Sequence, residues 1–332
     1  MKCLLVLTSL LLLTHDVNAS DNFKKLSRIR ILKRFAFGSC NKQYEEQKLW
    51  VDMITQRPQL FIWGGDNAYI NSSNPDDIKA GYEMQNSIPY YQIFKAMVPI
   101  IGTWDDHDYG VNNGNGHFRS KAKSQEYALD FFEEPAASPR RVQEGIYTSY
   151  EFGSGDRKVK IILLDNRYHK DLEPDAPFLG KRQWEWLEGE INHSKASLHF
   201  IVSGLSVLSP PIPKSEEWAD YPDELNRLLH LTKNNVKGVV FLTGDKHFSS
   251  VFRRHGMLEF MSSGMTHNTR VPLRPYIQAR FPSPLFEKNY GIVDIDWKGN
   301  DPIITFHNRT EWGTVRNQST FLWTGKDWEQ IH

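Results

Sequence analysis

The strongest constraint in this chain is a recurrence of short, β-branched apolar runs that each hand over to a polar cluster. Residues 34–38 (RFAFG) lead into Ser39, Cys40 and Asn41, and residues 59–63 lead into Gly64, Gly65 and Asp66. Residues 99–104 lead into Asp105, Asp106, His107 and Asp108, residues 158–164 into Asp165, and residues 238–242 into Thr243, Gly244 and Asp245. Residues 198–203 form one more apolar run. Helical patterns over 44–55, 78–97, 184–191 and 223–231 fall between them. Buried runs alternating with helices predict an α/β fold whose sheet is covered on both faces. From Tyr290 onward the helices stop, and residues 291–297, 303–307 and 314–323 read as antiparallel strands closing a second sheet. No repeat or linker interrupts the chain, so residues 20–332 read as one catalytic domain. Two proline-rich stretches, 209–213 and 271–284, read as long loops that overhang a site.

The amino terminus predicts export. A basic Met1–Lys2 start precedes an apolar run over 3–14, and Val17, Asn18 and Ala19 offer small residues for cleavage before Ser20. The run is shorter than the roughly 20 residues a membrane helix needs, and no other stretch is a candidate. The 40 basic and 40 acidic residues cancel, which gives no sign of a nucleic-acid partner. Nothing in the sequence fixes the number of subunits. Of two cysteines, Cys3 leaves with the signal, so Cys40 is a single thiol in an oxidising compartment. Its alternatives are a plain buried cysteine or a ligand.

In open α/β sheets, ligands collect beyond the carboxyl ends of the strands. Any one of these acidic residues could be ordinary turn chemistry. Five strand ends bearing Cys, Asp or His are harder to assign to turns. Converging in space, such carboxylates repel one another unless cations neutralise them. Asp66 is placed to bridge two cations. Asp105, Asp106 and His107 offer two carboxylates and an imidazole, and Asn112 and Asn113 add amide oxygens. Asp245 and His247 lie on the same side of an extended segment and reach one centre.

The ordered motifs FGSC (37–40), GGDNAY (64–69), TWDDHDYG (104–110) with Asn112 and Asn113, LLDNR (163–167) and TGDKH (243–247) resemble those of PhoD-like phosphatases. This is a branch of the calcineurin-like metallophosphatases. The resemblance implies their α/β/β/α sandwich, with two central mixed sheets flanked by helices. It implies Cys40, Asp66, Asn112, Asp245 and His247 as metal ligands, with Asn113 as the alternative to Asn112. Tyr82 stands where the family places a tyrosinate ligand; its alternative is a buried structural tyrosine. Asp165 matches a ligand or a residue supporting one, and Arg167 matches a clamp for phosphate oxygens. Many members carry an amino-terminal β-domain, for which no room precedes the first motif here. A thiolate with a phenolate suits Fe³⁺, and the carboxylate and amide oxygens suit Ca²⁺. The family implies the same multinuclear pair, with Zn²⁺, Mn²⁺ or Mg²⁺ as alternatives.

The expected substrate is a small-molecule phosphate ester. Cations would hold the phosphate oxygens and acidify a bound water, and the resulting hydroxide would attack phosphorus in line. His107 would protonate the leaving alkoxide, with Asp106 fixing its tautomer, unless it is itself a ligand or structural. Monoesters, diesters, phospholipids and nucleotides all remain within reach of this chemistry. A thiol hydrolase using Cys40 with His107 or His247 lacks a nucleophile-elbow motif. A non-catalytic calcium-binding protein would have no need of the complete set. Asn71, Asn192, Asn308 and Asn317 begin glycosylation triplets.

Overall fold

The computed structural model describes residues 20–172, 177–269 and 283–332. The expected signal over 1–19 and most of the second proline-rich stretch therefore lie outside the described residues. The first sheet contains β1 (Arg34–Gly38), β2 (Phe61–Gly64) and β3 (Ile100–Thr103), all parallel. The second is built on β4 (Thr148–Phe152), β5 (Val159–Leu163), β6 (Leu198–Ser203), β7 (Val239–Thr243), β8 (Ser249–Arg254) and β9 (Met257–Ser262). Its order is β4-β5-β6-β7-β9-β8, with β5, β6, β7 and β9 parallel and an antiparallel strand at each edge.

The carboxyl-terminal strands do not form the second sheet. β10 (Asn289–Lys298) pairs antiparallel with β1, and β11 (Asp301–Thr310), β12 (Val315–Trp323) and β13 (Trp328–Gln330) continue outward as a meander. They extend the first sheet to seven strands. The physical reason is the open edge of β1, whose backbone groups β10 satisfies. The second sheet instead gains β4 and the β8–β9 hairpin.

Side-chain alternation explains how the layers stack. Phe35, Phe37, Ile62 and Ile101 point inward against Ile161, Leu163, Phe200, Val202, Val240 and Leu242. Their neighbours Ala36, Phe61, Trp63 and Ile100 point outward beneath α2 (Leu49–Gln56), α3 (Pro75–Ser87), α4 (Pro89–Met97) and α6 (Lys121–Phe131). On the far side, Ile162, Ile201 and Phe241 meet α7 (Lys181–Asn192) and α8 (Pro222–Asn235). The result is the expected α/β/β/α sandwich. The helix expected over 78–97 is two helices, because Pro89 forces Ile88 into an extended conformation (ψ 118°). No helix among the described residues is long and apolar enough to cross a membrane.

All the parallel strands of both sheets present their carboxyl ends at one end of the sandwich. There Ser39 and Ser263 form a lone parallel bridge that ties the continuation of β1 to that of β9.

Candidate metal centre

β1 delivers Cys40, whose buried Sγ lies 3.1 Å from Ser263 Oγ and 3.5 Å from Asp66 Oδ2. β2 delivers Asp66. Beyond β3, the short helix α5 (Asp106–Tyr109) begins at Asp105 and carries Asp106 and His107. β7 delivers Asp245 and His247. Ligand atoms from these residues fall into three sets, each within 4.8 Å: Cys40 with Asp66 and His247, Asp66 with Asp106 and His107, and Asp105 with Asp106 and Asp245. Asp66 and Asp106 each belong to two sets, which makes the three a continuous chain.

The backbone is bent to achieve this. Cys40 (φ 60°), Asp66 (52°), Asp245 (70°) and His247 (58°) all occupy the left-handed region that non-glycine residues avoid. Each such residue costs on the order of 1 kcal/mol, and four at one site mark geometry held for function. Gly65 (φ +99°) and Gly204 are required because a Cβ on either would come within 2.7 Å of the Asp105 side chain.

Asp108, at the end of TWDDHD, organises both central loops. Its Oδ1 accepts the backbone N–H groups of Asp66 (3.1 Å) and Asp105 (2.7 Å), and its Oδ2 accepts those of Asn67 (3.2 Å) and its side-chain amide (2.5 Å). Burial raises its pKa to about 7 even so.

Burial, then repulsion from neighbouring carboxylates, pushes Asp66 well above the usual carboxylate range. Asp105 is also raised, by burial that outweighs the attraction of Arg167. Burial likewise opposes ionisation of Asp106, but Arg167 and His107 outweigh it and hold that group low. The Cys40 thiol is driven up by burial and by Asp66. Positive charge between these groups would let them ionise together. Asp105 Oδ2 is buried with no hydrogen-bond partner among the described residues, as an acceptor suited to a cation would be. The donor set, a thiol and imidazole at one end and carboxylates at the other, fits metal ions.

Several of the expected residues lie in settings other than those expected. The Tyr82 hydroxyl is buried and donates to the Asp108 carbonyl at 3.1 Å, with its ring against Phe131. The phenol at the cluster is Tyr69, 3.1 Å from Asp66 Oδ2, His247 Nε2 and His267 Nε2. Asp165 is saturated by the N–H groups of Trp104, Arg167, Tyr168 and Ile146 at 2.8–3.0 Å, and so acts as a loop anchor. Arg167 is wholly buried and engages Asp105 (2.6 Å) and Glu216 (2.7 Å), while its Nη2, with no hydrogen bond among the described residues, lies 4.0 Å from Asp106 Oδ1. Asp106 does not set the tautomer of His107, because its oxygens accept the backbone N–H groups of His107 and Asn113. Instead Asn71 Oδ1 lies 3.0 Å from His107 Nδ1, and the ring stacks 4.0 Å from Tyr69. Asn112 and Asn113 are exposed, in a loop held by the Asn113 N–H donating to Asp106 Oδ2 at 2.6 Å. The stretch 209–213 packs into the outer core through Ile212, and Ser215 and Glu216 beyond it engage Lys246.

The residues missed were Tyr69, Asn71, Asp108, Ser263 and His267. Tyr69 had a signal, since it closes the GGDNAY motif three residues after Asp66. His267 had none, because it follows β9, a strand the sequence did not disclose.

The family model for PhoD-like phosphatases matches residues 35–272. No curated protein sequence matches the chain. A solved structure of PhoD superposes with a TM-score of 0.74 at 17% identity, covering 90% of this chain and 71% of that one. GAP50, described as the anchor in the inner membrane complex of Plasmodium, gives 0.58 at 13% identity, covering 86% and 87%. A dimetal phosphatase from Danio rerio gives 0.52 at 11% identity, covering 89% and 100%. At these identities the structural likenesses speak to the fold alone. The family match extends from β1 through every strand end that builds the centre, and the chain belongs to the PhoD-like phosphatase family of phosphoric-ester hydrolases.

Proposed function

We propose that this chain is a secreted, metal-dependent hydrolase of small-molecule phosphate esters, working at the centre formed by Cys40, Asp66, Tyr69, Asp105, Asp106, His107, Asp245 and His247. The observation that carries this reading is the chain of three ligand sets sharing Asp66 and Asp106. Bound cations would supply the charge that holds phosphate oxygens and acidifies an attacking water. Cys40, Tyr69 and His247 suit Fe³⁺, whereas Asp105, Asp106 and Asp245 suit a harder ion such as Ca²⁺.

The protein's own groups then have separable tasks. Asn71 Oδ1 would accept a hydrogen bond from His107 Nδ1–H, which leaves Nε2 to hold a proton toward the leaving oxygen once the ring is protonated. Arg167 clamps Asp105 in place, and Asp108 fixes the backbone from which Asp66 and Asp105 project. Secretion rests on the apolar leader, and Ser20, first after the expected cleavage point, caps a helix by accepting the Phe23 N–H. Residues 20–332 would then be the mature unit.

Elemental analysis of purified protein, with turnover of p-nitrophenyl phosphate and its bis ester, tests the reading. Bound metal and activity lost together on chelation or in Asp66→Asn are expected; full turnover by metal-free protein would overturn it. If the metal is ferric, a visible charge-transfer band should vanish in Tyr69→Phe and persist in Tyr82→Phe. The reverse pattern would return the ligand role to Tyr82.

A further inference from the structure

The cations around the centre are nearly all neutralised internally. Arg167 pairs with Asp105 and Glu216, and Lys170 also pairs with Glu216. Lys246 is buried between Asp245 (3.5 Å) and Glu217 (3.6 Å), and Lys288 lies 3.6 Å from Glu311. Lys42 differs. Two residues after Cys40, its half-buried side chain extends over the Tyr69 ring, with Nζ 5.6 Å from the centroid. Among the described residues it has no carboxylate partner. Its backbone is fixed, because its N–H donates to Thr266 Oγ1 at 2.7 Å and the preceding N–H, of Asn41, to the Asp66 carbonyl at 2.9 Å. The same Tyr69 ring stacks on His107, so the ammonium and the imidazole assigned above to the leaving oxygen both lie against one ring.

An ammonium with no carboxylate partner among the described residues, beside a buried acidic cluster, has two uses. It can balance the whole cluster, or it can meet an anion brought by the substrate. Balance would be served better by a buried pair of the kind Lys246 makes, whereas half-buried Lys42 makes no such pair among the described residues. We propose that Lys42 forms a subsite for a second anionic group, so that the preferred substrate is a phosphate ester whose alcohol portion carries a further phosphate or carboxylate. This rests on the hydrolase reading above. It adds a substrate class to it.

The test compares propane-1,3-diol bisphosphate with 3-hydroxypropyl phosphate, which differ in the second phosphate, by release of inorganic phosphate. A charge-assisted contact predicts that Lys42→Gln raises the ratio of KM for the bisphosphate to KM for the monophosphate about tenfold. Lys42→Arg should restore most of the ratio, and added salt should erode the preference in the native protein. A ratio unchanged in Lys42→Gln would overturn the subsite while leaving the hydrolase reading intact, because a general electrostatic role shifts both esters alike. If the native protein hydrolyses neither ester, the hydrolase reading fails and the subsite with it.

Discussion

At the scale of single residues, the centre depends on side chains that bind nothing themselves. Asp108 is the clearest case, since two of its four donors are the backbone N–H groups of Asp66 and Asp105. Asp108→Ala leaves four buried N–H groups unmatched, each worth about 1–3 kcal/mol before relaxation. A loss of at least about 3 kcal/mol in urea unfolding is expected, together with loss of bound metal. Asp108→Asn, which keeps one acceptor oxygen, should lose less of both. Unchanged metal content in the alanine variant would show that the loops hold their shape without this anchor. Such residues explain why the site was only partly legible. Cys40, Asp66, Asp105, Asp106, His107, Asp245 and His247 could be read because they follow strands and carry ligand atoms. Tyr82 and Tyr69 both precede TWDDHD, and sequence spacing cannot show which phenol turns inward. Asp165 follows a strand as the proposed ligands do, but its oxygens are consumed by its own loop.

At the scale of elements, the parallel strands were legible and the antiparallel additions were not. The β8–β9 hairpin turns on His255 and Gly256, at φ 57° and 78°, the positive pair that a two-residue hairpin turn requires. Histidine in place of the usual asparagine hid it. The junction of β10 with β1 is likewise a tertiary choice, held in part by a cross-strand triad. Arg34 on β1 grips Asp294 on β10 through two hydrogen bonds (2.5 and 2.8 Å), and His307 on β11 lies 2.9 Å from the same carboxylate. Half-burial alone would raise the pKa of Asp294, but His307 and Arg34 outweigh it and hold it at about 2. A carboxylate depressed by folding stabilises the protein above its unfolded pKa of about 4, and that contribution disappears as pH falls through the folded value. Discounted for solvent screening, it amounts to about 1 kcal/mol. The advantage of the native protein over Asp294→Asn in urea unfolding should therefore shrink as pH falls from about 4 through the folded value. An advantage that grows over that acidic range would reverse the assignment.

For the whole molecule, the centre is also the place where the two sheets are fastened at one end. Cys40 and Asp66 come from the first sheet and Asp245 and His247 from the second, and the Ser39–Ser263 bridge joins them through backbone. The inner core holds the sheets face to face along their length, but at the carboxyl ends polar groups replace apolar ones. Four left-handed residues and several mutually repelling carboxylates are gathered at this junction between the sheets. Cations bound at such a junction act as a clasp, stabilising the folded state by their binding free energy. Chelation should therefore raise amide hydrogen exchange together at residues 39–41, 64–67, 244–248 and 262–268, although these belong to different sheets. Strands β5 and β6, sealed in the inner core, should keep their protection. Exchange that rose in only one sheet would mean that the ions serve one side alone. A uniform rise across the molecule would mean instead that metal supports the fold as a whole, and the clasp would have no separate existence.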